Sequence, residues 1–336
     1  MEFAKRGAQK ACKRKAQNAR KAQMARKVQK ARAQKAQLSS FAWIFSLIIG
    51  AVILFFAFFF VTQYGKQVAK PTKEVSVESG INILLEPFSE VGSLVEAQGT
   101  ALEFPADSYT EFGCNANNDY SEIKWRNRKE KTFSIIKQVP DKYIFSKPLI
   151  TTQKETFFAF SMPLKDPFFI ATPVIIVDGK YCLTNLPYQY RTKLEEISKD
   201  IISKTKSAIN FTNCPSDYYK IDIGCSACNY GFVDGKPWFS DLIYAAIFSD
   251  FDTYNCNLDR ILARAKILAS IYKTKAQLLR NKGCTIGNIE GALDSFITAI
   301  DTFMKSKTGN NLGSLYNSIV QLRNINAGLV ADCKLF

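Results

Sequence analysis

Histidine is absent from all 336 residues. Its absence removes the usual general base near neutral pH, the histidine-containing nucleophile triads and every imidazole metal ligand. The chain also lacks a Gly-x-Ser-x-Gly elbow, a glycine-rich phosphate loop followed by Lys-Ser/Thr, and an EF-hand spacing. Asp250, Asp252 and Asp259 are therefore read as surface acids or helix caps rather than as an acid/base pair or a calcium site, and the chain is read as non-enzymatic, with no cofactor and no metal.

Acid is scarce where base is plentiful. Residues 1–38 hold thirteen Lys and Arg against a single acid, Glu2, so +12 of the formal +15 belongs to that stretch and only +3 to the other 298 residues. This distribution excludes a globally basic nucleic-acid-binding protein and leaves a nearly neutral body with a cationic tail. From Ala8 to Leu38 the tail also lacks Gly and Pro and is made chiefly of Ala, Lys, Arg and Gln, all good helix formers. Its apolar content is almost entirely alanine, which gives a helix too weak an apolar face to embed in a membrane. The partner expected for it is a surface of anionic lipid headgroups, at roughly 1 kcal/mol per basic residue close to the surface.

Charge is missing altogether from Phe41 to Thr62, FAWIFSLIIGAVILFFAFFFVT. As a helix these residues span roughly 30 Å, the thickness of a hydrocarbon core. Trp43 and Tyr64 stand where headgroup-level aromatics are expected. The basic flank precedes the apolar run, so the positive-inside rule places the N-terminus in the cytoplasm and everything beyond about Tyr64 outside the cell membrane. No small-x-small cleavage site follows the run, which favours an uncleaved single-pass anchor. The organisation expected is a basic tail over 1–38, a transmembrane helix over 39–64, a stalk over 65–80, a β-rich region over 81–190 and a Cys-rich helical region over 191–336.

Cysteine usage agrees with that topology. Cys12 is alone in the tail, and eight cysteines (Cys114, Cys182, Cys214, Cys225, Cys228, Cys256, Cys284, Cys333) follow the anchor, an even number suited to disulfides in an oxidising compartment. Strand signals recur at 101–104, 121–125, 132–136 and 156–160, and VIIV-Asp178-Gly179-KYCLT carries the signature of a hairpin with a two-residue type I′ turn. After Pro187 the apolar spacing becomes helical: 194–209, 242–248, then 259–282 stopped by Gly283, about 288–305 and 312–332. The fold class expected is α+β, an antiparallel β region followed by an up-down-up three-helix bundle. That bundle puts Cys284 and Cys333 at one end, so they are expected to pair. Cys256 is expected with one of Cys214, Cys225 or Cys228, and Cys114 with Cys182.

Cys225-Ser226-Ala227-Cys228 has the spacing of a redox dithiol, so an extracytoplasmic thiol oxidoreductase is an alternative function. With Cys214 and Cys256 the same residues could close a tetrahedral zinc site, though structural disulfides are preferred. Asn210-Phe211-Thr212 is a glycosylation sequon.

Two resemblances add to this reading. Gln37-Leu38-Ser39 after Lys35-Ala36, directly before the apolar run, resembles the class III (type IV pilin-like) signal of archaeal surface proteins, which implies cleavage between Ala36 and Gln37. Phe41 stands at the fifth mature position, where that family usually has Glu. The chain as a whole resembles a group of single-pass membrane proteins of small-genome archaea. This likeness is carried by LEPF at 85–88, ALEFPAD at 101–107, KYIFSKPL at 142–149, KYCL at 180–183 and YNCNLDRILARAKILASIYKTKA at 254–276. The function expected is a membrane-anchored cell-surface protein whose ectodomain binds protein partners or joins an envelope assembly, with a pilin-like filament subunit as the alternative.

Overall fold

The computed structural model describes residues 96–116, 119–133 and 135–336, with the backbone alone at Ile135. The expected tail, transmembrane helix and stalk, the Ala36/Gln37 cleavage position and the LEPF motif lie outside these residues. No helix among the described residues is long and apolar enough to cross a membrane.

The described fold is α+β. Period-2 patterning builds its sheets, because successive side chains on a strand point to opposite faces. One four-stranded sheet has the order β4 (Ile135–Pro140), β3 (Tyr120–Asn127), β2 (Ser108–Asn115), β6 (Leu149–Thr151), all antiparallel. A second has the order β1 (Gln98–Phe104), β7 (Glu155–Ser161), β8 (Val174–Val177), β5 (Ile144–Phe145). The two enclose a compact core of Leu102, Phe104, Phe112, Ile123, Trp125, Phe157 and Ile176. The second sheet is buried on its other face as well. Phe158, Phe160, Ile175 and Val177, which alternate with Phe157, Ala159 and Ile176, enter a larger core shared with the helices. Central strands covered on both faces read as unbroken apolar runs, which is why TFFAF and VIIV show no polar alternation.

The expected hairpin at Asp178-Gly179 does not form. β8 pairs with β7 and β5, whereas β9 (Lys180–Thr184) pairs in parallel with β10 (Ala208–Asn210) and β11 (Tyr219–Asp222). Both edges of β8 are occupied, so β9 has nowhere to fold back, and neither Asp178 nor Gly179 takes a positive φ. The type I′ hairpin occurs instead at Asp234-Gly235 (φ 47° and 76°), joining β12 (Tyr230–Val233) to β13 (Lys236–Phe239) with Val233 opposite Lys236. The strand read at 132–136 is displaced to Ile135–Pro140.

The α-helices of the described residues are α1 (Tyr188–Ser198), α2 (Leu242–Phe248), α3 (Phe251–Asn281), α4 (Ile289–Lys305) and α5 (Gly309–Ala327). The helix read over 194–209 is thus α1 shifted toward Pro187, and its second half becomes a short 3₁₀ turn and β10. The helix read from Asp259 starts eight residues earlier, where the Asp250 carboxylate caps it by accepting from the Thr253 N–H at 2.8 Å. Gly283, at φ 91°, ends it as expected.

An ion-pair ladder fixes α4 antiparallel to α3: Asp259–Lys307 (2.8 Å), Lys266–Asp301 (2.7 Å), Lys273–Asp294 (2.7 Å) and Arg280–Glu290 (2.9 Å). Its members advance by seven residues along α3, so all lie on one stripe. Exposed pairs contribute little energy each, and their effect is on register. The bundle differs from the expected one in closure. α4 packs on both α3 and α5, but α3 and α5 have no extensive direct contact. Phe168, from the β7–β8 connection, and Phe336 fill the space between them, with ring centroids 4.7 and 5.2 Å from Tyr272 of α3.

The N-terminal turns of α3 dock on the β4-β3-β2-β6 sheet, the outer sheet, through a buried polar network. The Arg260 guanidinium, 1% exposed, donates to Asp119 Oδ1 (2.9 Å), Ser121 Oγ (3.1 Å), the Lys142 carbonyl (3.1 Å) and Asn257 Oδ1 (2.8 Å), and lies 4.6 Å over the Tyr143 ring. Thr253 Oγ1 donates to the Phe112 carbonyl at 2.9 Å. This docking brings Cys256 of α3 to Cys114 of β2.

Candidate functional site

All eight cysteines of the described fold are paired: Cys114–Cys256, Cys182–Cys214, Cys225–Cys228 and Cys284–Cys333. The last is as expected, because α3 and α5 end on the same side. The other two expected pairings are corrected. Cys256 bonds Cys114 because α3 lies along β2, with a Cα–Cα separation of 6.0 Å. Cys182 bonds Cys214 because β10 runs parallel to β9 with Asn210 opposite Cys182, which carries the chain to Cys214 on the same side.

Cys225 and Cys228 bond each other in the turn between β11 and β12. The adjoining Asn229 accepts from Gln189 Nε2, in the first turn of α1, at 2.7 Å, and its carbonyl accepts from the Ser240 N–H at 3.0 Å. The four sulfurs considered for zinc belong to three different disulfides and do not converge. Asn210 ends β10 half-buried, its Oδ1 accepting from the Thr212 N–H at 3.2 Å in an Asx turn. Asp252 lies in the first turn of α3.

The structure assembles a polar cleft that sequence reasoning missed. Residues 162–173 leave β7 and return to β8 as an excursion closed at its base by Met162 N to Pro173 O (3.0 Å) and Leu164 N to Ala171 O (2.8 Å). It carries Lys165 and Asp166 to a cleft of about 650 Å³, walled by Glu96, Lys193, Glu196 and Asp241. Gly99 permits the close approach of β1 to α1, since a Cβ there would stand 2.8 Å from the Ile197 carbonyl oxygen.

Ser240 and Asp241, between β13 and α2, organise the floor. Ser240 takes φ 49°, a left-handed conformation unfavourable for a residue with a Cβ. Its N–H donates to the Asn229 carbonyl at 3.0 Å and its hydroxyl donates to Asp166 Oδ2, so surrounding bonds hold the strained backbone. Asp166 accepts a second bond, from Arg323 Nη1 at 2.8 Å. Asp241 accepts from Lys193 Nζ at 2.8 Å. Burial pushes the Asp241 carboxyl above its ordinary value, Lys193 acts in the opposite sense, and Asp166 adds to the rise. The cleft thus holds both charge signs, with Lys193 and Asp241 bonded to each other and Asp166 held by Ser240 and Arg323, an array suited to recognising a polar ligand. A backbone strain of this kind has no signature in local sequence; the Asp166-Pro167 dipeptide marks only a turn.

No protein-family model, no curated protein and no solved structure matches the chain.

Proposed function

We propose that this protein is a single-pass, membrane-anchored cell-surface protein with its basic N-terminus in the cytoplasm. Its disulfide-stabilised ectodomain binds partners or takes part in an envelope assembly, without catalysing a reaction. The observation that carries the reading is the pairing of every cysteine beyond the apolar run into four disulfides, a pattern that persists in oxidising compartments outside the cytoplasm. The lone Cys12 in the tail and the steep charge step across Phe41–Thr62 support it independently. Non-enzymatic work is supported by the lack of histidine and by the closed pairing of Asp166 with Arg323 and of Asp241 with Lys193.

Protease treatment of intact cells tests the topology. The expected result is loss of epitopes beyond residue 96 with the tail protected; protection of the folded region would sink the proposal. A pilin-like subunit is the competing reading, favoured by Gln37-Leu38-Ser39 directly before the apolar run. Intact mass of the native protein separates the two, since the pilin-like route loses residues 1–36 and the anchored protein keeps them.

A further inference from the structure

A second cleft, of about 520 Å³, adjoins the polar one through Lys165. It is lined by Tyr272 of α3 and by Arg323, Asn326 and Ala327 at the C-terminal end of α5. Its apolar surface is the half-buried Tyr272 and Phe336 and the 37% exposed Phe169, and the buried Phe168 backs the first two with ring centroids 4.7 and 5.4 Å away. Its charged side chains are of one sign, Lys165, Arg323 and Lys334, beside the neutral Asn326 amide; Arg323 is paired with Asp166, which does not itself line the cleft.

One wall is the segment after Cys333, and it is held at three points. The Cys284–Cys333 disulfide fixes its start. Lys275 Nζ donates to the Leu335 carbonyl at 2.6 Å. Asn326 grips it with both ends of its amide, Oδ1 accepting from Leu335 N–H at 2.8 Å and Nδ2 donating to the Phe336 carbonyl at 2.5 Å. The cleft is therefore preorganised rather than an incidental gap.

We propose that this cleft binds a small amphipathic anion, a flat apolar group bearing a carboxylate. Its size falls within the range of small-molecule sites, in which apolar walls supply affinity and a few polar groups fix orientation. Tyr272, Phe336 and Phe169 accept the flat group by stacking and edge contacts. The cations select the charge. Arg323 spends one N–H on Asp166 and a guanidinium has four more to offer, while Lys334 is exposed and has no ionic partner among the described residues. An aromatic trio alone would also suit a quaternary ammonium, but three cations around it oppose that occupant. The inference rests on the folded unit alone and stands whether or not the chain is anchored.

Isothermal titration of the full chain in zwitterionic lipid nanodiscs, with empty nanodiscs subtracted, tests it with three probes sharing one ring: 1-naphthaleneacetate, 1-naphthaleneacetamide and 1-naphthylmethylammonium. The acetate should bind saturably and more tightly than the amide, and the ammonium weakest. Lys334→Glu should weaken acetate binding about tenfold, the scale of one charge-assisted contact, and Phe169→Ala should weaken all binding. Both positions are exposed, so the unfolding temperature should not move. Should Lys334→Glu fail to fold, Phe169→Ala and the probe order decide. Absence of saturable binding, equal affinities, preference for the ammonium, or undiminished acetate binding in the folded variants would overturn the proposal.

Discussion

Replacing Cys114 and Cys256 together by serine removes the link that joins residues 142 apart in sequence and ties the outer sheet to α3. In the chain-entropy picture a crosslink stabilises by restricting the unfolded ensemble, by roughly 5 kcal/mol for a loop of this length. Domains are commonly stable by only about 5–15 kcal/mol, so the loss is a large share of the whole. The native contacts that dock α3 on this sheet, Thr253 Oγ1 to Phe112 O on β2 and Arg260 to Asp119, Ser121 and the Lys142 carbonyl, survive the substitution. The folded form should therefore keep its near-ultraviolet circular dichroism while its denaturation midpoint falls. Guanidinium unfolding followed by the fluorescence of the buried Trp125 and Trp238 measures this. The decisive comparison is with C225S/C228S, whose crosslink spans a separation of 3 and is worth roughly 2 kcal/mol on the same reasoning. Removal of Cys284–Cys333 (separation 49) and of Cys182–Cys214 (separation 32) should fall between, at roughly 4 kcal/mol each. If C225S/C228S costs as much as C114S/C256S, the loop-entropy account fails.

Three further outcomes are expected. Arg260→Met should destabilise by roughly 3 kcal/mol, because it strips hydrogen bonds from the buried Ser121 and Asn257, and a loss below about 1 kcal/mol in urea melts would show the network to be dispensable. Lys236 is buried, with its ammonium donating to the Ser249 carbonyl at 2.7 Å, and burial, reinforced by Lys147, lowers its pKa to about 8. Between about pH 8 and 10.5 the unfolded chain therefore binds more protons than the native one, so this residue's contribution to stability should rise with pH across that window. Lys236→Met should flatten the rise, and an identical pH profile in variant and parent would refute the assignment. Gly99→Ala should lower stability measurably in thermal melts, since its new methyl meets the Ile197 carbonyl oxygen; an unchanged midpoint would show that β1 and α1 can separate without cost.

The parts of the fold legible in the sequence were those governed by local physics. Helix α4 and the stop at Gly283 were readable because apolar period and a left-handed glycine act within a few residues. The strands around Phe157 and Ile176 were readable as strands, though not as the doubly covered centre of the fold, because an apolar run does not say what covers it. Ser240 and Asp166 were invisible as partners, since 74 residues separate them and only the excursion from β7 to β8 brings them together.

The two Asp-Gly pairs divide sequence from tertiary structure most clearly. Both carry the same local preference for a tight turn, yet Asp234-Gly235 forms a type I′ hairpin while Asp178-Gly179 passes the chain from one sheet to another. The difference is the occupancy of the edges of β8, a property of strands distant in the chain. Cysteine behaves likewise. The position of eight of the nine cysteines beyond the apolar run determined that they could pair, and helix order alone brought Cys284 to Cys333. Only the docking of α3 on β2 decided that Cys256 bonds Cys114, because a disulfide forms where Cα atoms come within about 7 Å, and that proximity is a property of packing rather than of sequence.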